Sequence, residues 1–410
     1  MPFRPSPILA ALLLAFAVQA GAQLGLPGNL PVLDRLPGAV LGQVPDALGG
    51  TRAQVFRALE LARGQRIERL LRDNRAVLER DLAGEPARRA TLLLIDPDPA
   101  TLARARDLGF TAAPPAELDA LGLGVSQLAV PRGMSLAAAQ RLLRQQLPAA
   151  QVASDQIFSQ SGTSGHDGPG SAAARTPAAA PVNTPIGLID GGAAQPVFAA
   201  RGFARGAPLA SNHGSAVAWL AQNAGARRVL IADVYGSDPA GGNALAIAQG
   251  MAWLASKGAR VISISLVGPR NLLLERAIGA AQSRGIVIVA AVGNDGPAAP
   301  LSFPASYPGV LAITGVDQRN RPLIEAGRAA HLDYAAPGAG LSAADRGGRI
   351  VAVRGTSFAA PLVAVRAAAA LDRGATQRSL VAQLDREAQP LSARRPDPQT
   401  GRGLLCGACR

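Results

Sequence analysis

Five short apolar runs between residues 186 and 316 constrain this chain more than any other feature. They are Ile186 to Ile189, Val229 to Val234, Val261 to Leu266, Ile286 to Val292 and Val310 to Val316. Nearly continuous runs of this length suit strands buried on both faces. Helical segments separate the first four of them: His213 to Asn223, Asn243 to Lys257 and Asn271 to Arg284. Parallel strands need crossover connections, and the helices of those crossovers cover both faces of the sheet. The alternation therefore predicts an α/β, doubly wound domain with a mainly parallel sheet over residues 185–410. Functional groups in such a sheet collect where loops leave the carboxyl ends of the strands.

Polar residues stand at those ends. Asp190 follows Ile186-Gly187-Leu188-Ile189, and Asn294 lies in Gly293-Asn294-Asp295-Gly296 directly after the run Ile286 to Val292. His213 begins a segment that enters a helix, and Ser357 opens the last long helix in Gly355-Thr356-Ser357-Phe358-Ala359-Ala360-Pro361. The small residues after Ser357 have high helix propensity and little bulk, so that helix can pack deep in a core. A hydroxyl at its start lies beside free backbone N–H groups, which favour negative charge.

These residue types suit one chemistry. A serine hydroxyl must lose its proton as it attacks. A neutral imidazole can take that proton and later pass it to a leaving amine. A buried carboxylate fixes the imidazole tautomer, and an amide N–H stabilises an oxyanion. The chain has three histidines. His166 falls in a polar segment and His331 has no partner motif, so His213 is the natural base for Ser357.

Upstream, residues 81–158 run strand, helix, strand, helix, strand. The pieces are Ala90 to Asp96, Pro99 to Leu108, Val125 to Val130, a helix capped by Ser135 that reaches Leu147, and Gln151 to Phe158. This order predicts a small α+β domain of split β-α-β type. Residues 159–184, rich in Ser, Gly, Ala and Pro, suggest a flexible linker. Residues 23–80 comprise a Gly- and Pro-rich lead-in, then a periodic stretch from Thr51 to about Asp81 that predicts an amphipathic helix. Residues 1–22 have the pattern of a secretory signal, with Arg4, the apolar run Ile8 to Val18 and Ala20-Gly21-Ala22. That run is too short to span a bilayer. The expectation is an exported protein, periplasmic or secreted, without stable membrane insertion.

The net charge is +13, almost all of it arginine, with Lys257 the one lysine. No basic-aromatic stretch points to nucleic acid, and the charge is ascribed to a codon bias toward arginine. Cys406 and Cys409 can close a small disulfide in an exported chain. No cluster suits a metal or a cofactor, and none is expected.

Residues 186 to about 370 resemble the subtilisin-like serine proteases. His213-Gly214-Ser215-Ala216-Val217-Ala218 is similar to that family's histidine motif, and Gly355 to Pro361 to its serine motif. Ala291-Val292-Gly293-Asn294-Asp295-Gly296 is similar to its oxyanion segment, and the order Asp, His, Ser agrees. The resemblance implies Asp190, His213 and Ser357 as a catalytic triad and Asn294 as oxyanion donor, beside the Ser357 N–H. It implies that Ser265, Leu266, Val267 and Gly268 bind an extended peptide substrate as an edge strand, with Ser302 near the primary side-chain pocket. It also implies that 81–158 is a propeptide, an intramolecular inhibitor that a self-processed, monomeric endopeptidase removes. Three positions depart from the family pattern. Gly191 stands where a hydroxyl residue is usual, which removes a hydrogen bond to the aspartate. Val267 replaces a glycine, and Trp219 a small residue. These departures keep a second expectation open, a catalytically weak or inactive module that binds extended peptides. An esterase of the α/β-hydrolase fold is disfavoured, because it needs a Gly-x-Ser-x-Gly elbow and a serine that comes first.

Overall fold

The computed structural model describes residues 49–409 apart from 117, 161–162 and 170–179. The expected signal at 1–22 and the lead-in up to residue 48 lie outside the described residues. Among those described, no helix is long and apolar enough to cross a membrane.

The chain begins with α1 (Gly49–Asp73) and then forms a small antiparallel sheet. Its strands are β1 (Leu78–Arg80), β2 (Pro86–Ile95), β3 (Thr111–Ala112), β4 (Val125–Ala129) and β5 (Gln151–Gln156). β2 is central, between β4 and β5, and α2 (Pro99–Asp107) and α3 (Leu136–Gln146) are its crossovers. The caps are local. Asp98 accepts from the Thr101 N–H and Ser135 from the Ala138 N–H. One expectation changes here. The first helix stops eight residues before Asp81, because Leu78, which continues its apolar spacing, enters β1 instead and is fully buried there.

The larger sheet contains seven strands, all parallel, in the order β15-β14-β13-β11-β8-β10-β9. These are β8 (Ile186–Asp190), β9 (Ala199–Gly202), β10 (Val229–Asp233), β11 (Val261–Ile264), β13 (Val287–Ala291), β14 (Leu311–Val316) and β15 (Tyr334–Pro337). Every residue of β8, β10, β11, β13 and β14 is buried, as their unbroken apolar character requires. α4 (Asn212–Asn223) and α7 (Thr356–Asp372) cover one face, and α5 (Ala244–Ser256) and α6 (Leu272–Ser283) the other. α8 (Gln377–Glu387) packs outside α7. The Ala-rich α7 is buried along nearly its whole length, since small side chains let it approach the sheet closely. The core on the α5 and α6 face continues into the small domain through Leu93 and Ile95 of β2 and through Leu121 and Phe158 of its connections.

The segment 159–184 differs from the linker expected of it. Ser159–Gln160 forms β6, antiparallel to β12 (Leu266–Val267). Thr163–Pro169 forms β7, antiparallel to β17 (Ile350–Arg354), which in turn pairs with β16 (Leu341–Ala344). These pairings are made by main-chain groups, so a polar, Ser- and Gly-rich sequence does not announce them. Closer to the large sheet, the Asn183 and Thr184 N–H groups donate to Asp372.

Candidate active site

The site is built at the carboxyl end of the large sheet. Asp190 is the last residue of β8, and β10 lies beside it with Asp233 in register. His213 sits in the first turn of α4, whose N-cap Ser211 accepts the Gly214 N–H at 2.9 Å. Gly214 is needed for close approach: a Cβ there would stand 2.1 Å from the Gly191 carbonyl oxygen. That contact brings the helix start against the end of β8 and so brings His213 to Asp190. The imidazole Nδ1 lies 2.9 Å from both carboxylate oxygens. On its other side, Nε2 lies 2.9 Å from the Ser357 Oγ. The Phe358 ring, at a centroid distance of 5.1 Å, supports the imidazole. All three side chains are buried.

Ser357 is held by the irregular start of its helix. Gly355 has φ of 142°, where a side chain would be strained. Pro361 lacks an N–H, so it cannot donate to the carbonyl four residues before it, that of Ser357. The freed carbonyl accepts instead from the Ser265 hydroxyl at 2.9 Å.

Asn294 lies in the loop after β13. Its Oδ1 accepts the Thr356 N–H at 3.0 Å, and the Gly293 N–H donates to Thr356 Oγ1 at 3.0 Å. This grip orients the amide, so that Nδ2 is the end left over. Nδ2 is buried and meets no partner among the described residues. A buried donor without an acceptor is costly and calls for a functional reason.

The other expected substrate residues divide. Val267, Gly268 and Ser302 line a cavity of about 280 Å³ together with Phe303. Leu266 is buried and pairs through its backbone with Gln160, whereas Ser265 braces the Ser357 carbonyl. His331 lies apart from the site, its Nε2 at 2.9 Å from the Val310 carbonyl.

Sequence reasoning missed several contacts. Gln160 Nε2 donates to Asp190 Oδ1 at 3.0 Å. Tyr235 donates its phenol to the Phe158 carbonyl at 2.8 Å. Burial first, then the charges of Asp190 and Asp233, push that phenol well above its usual range, so it stays a donor. Arg63 and Arg66 of α1 pair with Asp295, at 3.4 and 2.5 Å, and help line the 280 Å³ cavity. None of these contacts has a local spacing that could have disclosed it.

Comparison with known proteins now adds to the geometry. Residues 204–395 match the model of the subtilase family, a span that includes His213, Asn294 and Ser357 but begins after Asp190. An alkaline protease of Alkalihalobacillus alcalophilus is 36% identical over 164 residues, which is 40% of this chain and 42% of that protein. Subtilisin Savinase of Lederbergia lenta is 35% identical over 164 residues, 40% of this chain and 59% of the relative. The chain thus spans about half the length of the curated relatives it matches. Among solved structures, fervidolysin from Fervidobacterium pennivorans superposes with a TM-score of 0.66 at 17% identity, covering 79% of this chain and 61% of that one. That likeness establishes the subtilisin-like fold, and it extends over more of the chain than the large α/β domain alone could supply.

Proposed function

From a chain that carries a subtilase-family domain over residues 204–395, we propose an exported serine endopeptidase that is made as a precursor and cuts itself. The observation that carries this reading is the hydrogen-bond chain from Asp190 through His213 to the Ser357 hydroxyl. In the first step Ser357 Oγ attacks the peptide carbonyl carbon while His213 Nε2 takes the hydroxyl proton. Asp190 holds the imidazole by Nδ1 and stabilises its charged form. The carbonyl oxygen, now an anion, accepts from Asn294 Nδ2 and the Ser357 N–H. Collapse of this intermediate breaks the C–N bond, and the leaving amine takes the proton from His213. Water then attacks the acyl-enzyme by the same route, which releases the acid and restores Ser357.

Self-cleavage is supported by the two strand pairings that the segment 159–169 makes with the large domain. β6 pairs with β12, and β7 pairs with β17, which leads into Gly355 and Ser357. The precursor's own chain thus lies along the channel on both sides, in the manner of a bound peptide. The bond to be cut is one of the three that join Gln160 to Thr163. Residues 81–158 then act as an intramolecular inhibitor docked on α5 and α6. There Asp155 accepts the Leu245 N–H, and Asn271 donates to the Ser154 carbonyl. α1 adds a second cover beside the cavity through Arg63 and Arg66. The substrates are extended peptide segments, the mature enzyme acts as a monomer, and residues 1–22 direct export.

The test is to express the wild type and Ser357→Ala and to follow precursor size and the new N-terminus. The wild type is expected to mature with an N-terminus at residue 161, 162 or 163, and the variant to stay full length. Equal maturation of both would exclude self-processing. A wild type that fails to react with a fluorophosphonate would favour a peptide-binding module instead.

A further inference from the structure

Asp190 owes one of its hydrogen bonds to a residue outside the α/β domain. Its Oδ1 accepts from the Gly191 N–H at 2.7 Å, from His213 Nδ1 at 2.9 Å and from the Gln160 amide at 3.0 Å. The first two donors belong permanently to the domain. Gln160 belongs to β6, the strand laid in the channel, and it leaves with the precursor segment on the cleavage reading above.

Nothing at position 191 can replace it. A Cβ on Gly191 would stand 2.4 Å from Ser211 Oγ and 3.0 Å from Ser211 Cβ. Ser211 is already committed to the Gly214 N–H, the cap that positions His213. A hydroxyl side chain on residue 191 would therefore displace the start of α4. The donor has to come from across the channel, and Gln160 Nε2 already approaches the place where a Cβ of residue 191 would be, at 3.5 Å.

The reach is set by backbone register. Gln160 is paired with Leu266. An extended peptide bound in the same antiparallel register places its own residue opposite Leu266 and directs that side chain the same way. We propose that this position is a glutamine-selective subsite, at which the side-chain amide of the bound peptide completes the hydrogen-bond set of Asp190. The substrate class is extended peptides with glutamine opposite Leu266, the first of them being the precursor itself. Glutamine is a positioning residue here: it steadies the carboxylate that steadies His213. Asparagine is one methylene short. Leucine has no donor, glutamate brings a second negative charge to Asp190, and lysine competes with His213 for the carboxylate.

This proposal rests on the protease reading, and its test separates the two. The matured wild-type enzyme is given internally quenched peptides of the sequence 154–168, with Gln, Leu, Glu or Lys at the position of Gln160 and the cut bond identified by mass spectrometry. A hydrogen bond to a charged group is worth about 1.5–3 kcal/mol, so kcat is expected to fall about 10- to 100-fold for Leu and further for Glu, with KM little changed. In the full-length precursor, Gln160→Leu slows first-order self-cleavage by a similar factor. The trans assay uses an unaltered enzyme, so a folding defect in that variant cannot mimic the result. Equal kcat for Gln and Leu, equal kcat for Gln and Lys, or a loss confined to KM overturns the subsite. If the Gln peptide is not cut and Ser357 takes no fluorophosphonate, the protease reading falls and the subsite with it.

Discussion

The carboxyl ends of β8 and β10 form a natural pair. They are neighbours in one parallel sheet, and each finishes in a buried aspartate, Asp190 and Asp233, directly in register. Position and burial are therefore alike, and the donors make the difference. Asp233 accepts the backbone N–H groups of Leu209, Tyr235 and Gly236. All three belong to loops of the same domain, so the carboxylate is a brace. Asp190 accepts one backbone N–H and turns the rest of its capacity to the side chains of His213 and Gln160. A carboxylate closed off by main chain can only hold a loop. One that faces a side-chain imidazole can fix its tautomer and stabilise its charged form.

Substitutions can break this contrast, and the largest effect is expected at Asp190. Asp190→Asn should lower kcat by about 10⁴, since the imidazole loses its fixed tautomer. Thermal unfolding should shift little, because the amide oxygen can still accept the Gly191 N–H. Asp233→Asn assayed alongside should lose less than tenfold. Similar losses at both positions, measured by active-site titration and steady-state kinetics, would erase the distinction.

Next comes the donor that waits without a partner. Asn294→Ala should cost about 10²–10³ in kcat, as removal of an oxyanion donor does in a known serine protease. KM should hardly move, because Nδ2 bonds nothing among the described residues, whereas the urea midpoint should fall, because the Thr356 N–H loses its acceptor Oδ1.

Third, Asp233→Ala should destabilise the fold by about 2–3 kcal/mol, through N–H groups left buried without an acceptor. Urea unfolding of the Ser357→Ala precursor measures this without self-digestion. A loss below about 0.5 kcal/mol would mean that Asp233 is no brace.

The smallest effect concerns a third buried carboxylate. Asp155 accepts the Leu245 N–H at the start of α5 and lies 3.7 Å from Arg88. Burial outweighs these partners and pushes it up to about 6. A raised carboxyl favours the protonated form in the folded state. Its contribution is therefore full below the ordinary carboxylate range and is lost as pH rises through about 6. Melting of the Ser357→Ala precursor should thus weaken between pH 4 and pH 7 by about 1–3 kcal/mol, and Asp155→Asn should flatten that slope. Parallel slopes for the two proteins would remove Asp155 from the account.

The contrast also bears on how much of the site the sequence discloses. Asp190 and Asp233 both follow apolar runs, and only Asp190 precedes both the histidine and the serine segments in the order Asp, His, Ser. β8, β10, β11, β13 and β14 are legible because burial on both faces writes a continuous apolar run. β9, β16 and β17 are not, since they carry partly exposed or mixed patterns. β6 and β7 read as part of a linker because their sequence is polar and rich in Ser and Gly while their pairings are made by main-chain groups. α1 was legible as a helix, but not as a cover that reaches Asp295.

By itself, then, the sequence determined the α/β architecture, the small preceding domain and the four polar residues at the sheet's end. Hydrophobic runs, caps and helix-starting glycines act over a few residues, so they are written locally. Tertiary structure alone decided that Asp190, His213 and Ser357 come within 2.9 Å of one another in sequence order. It also decided that Thr356 turns the Asn294 amide and that Gln160 reaches Asp190. Those contacts depend on which strands are neighbours and on the direction of each side chain. Such geometry is fixed only when the whole core closes around it.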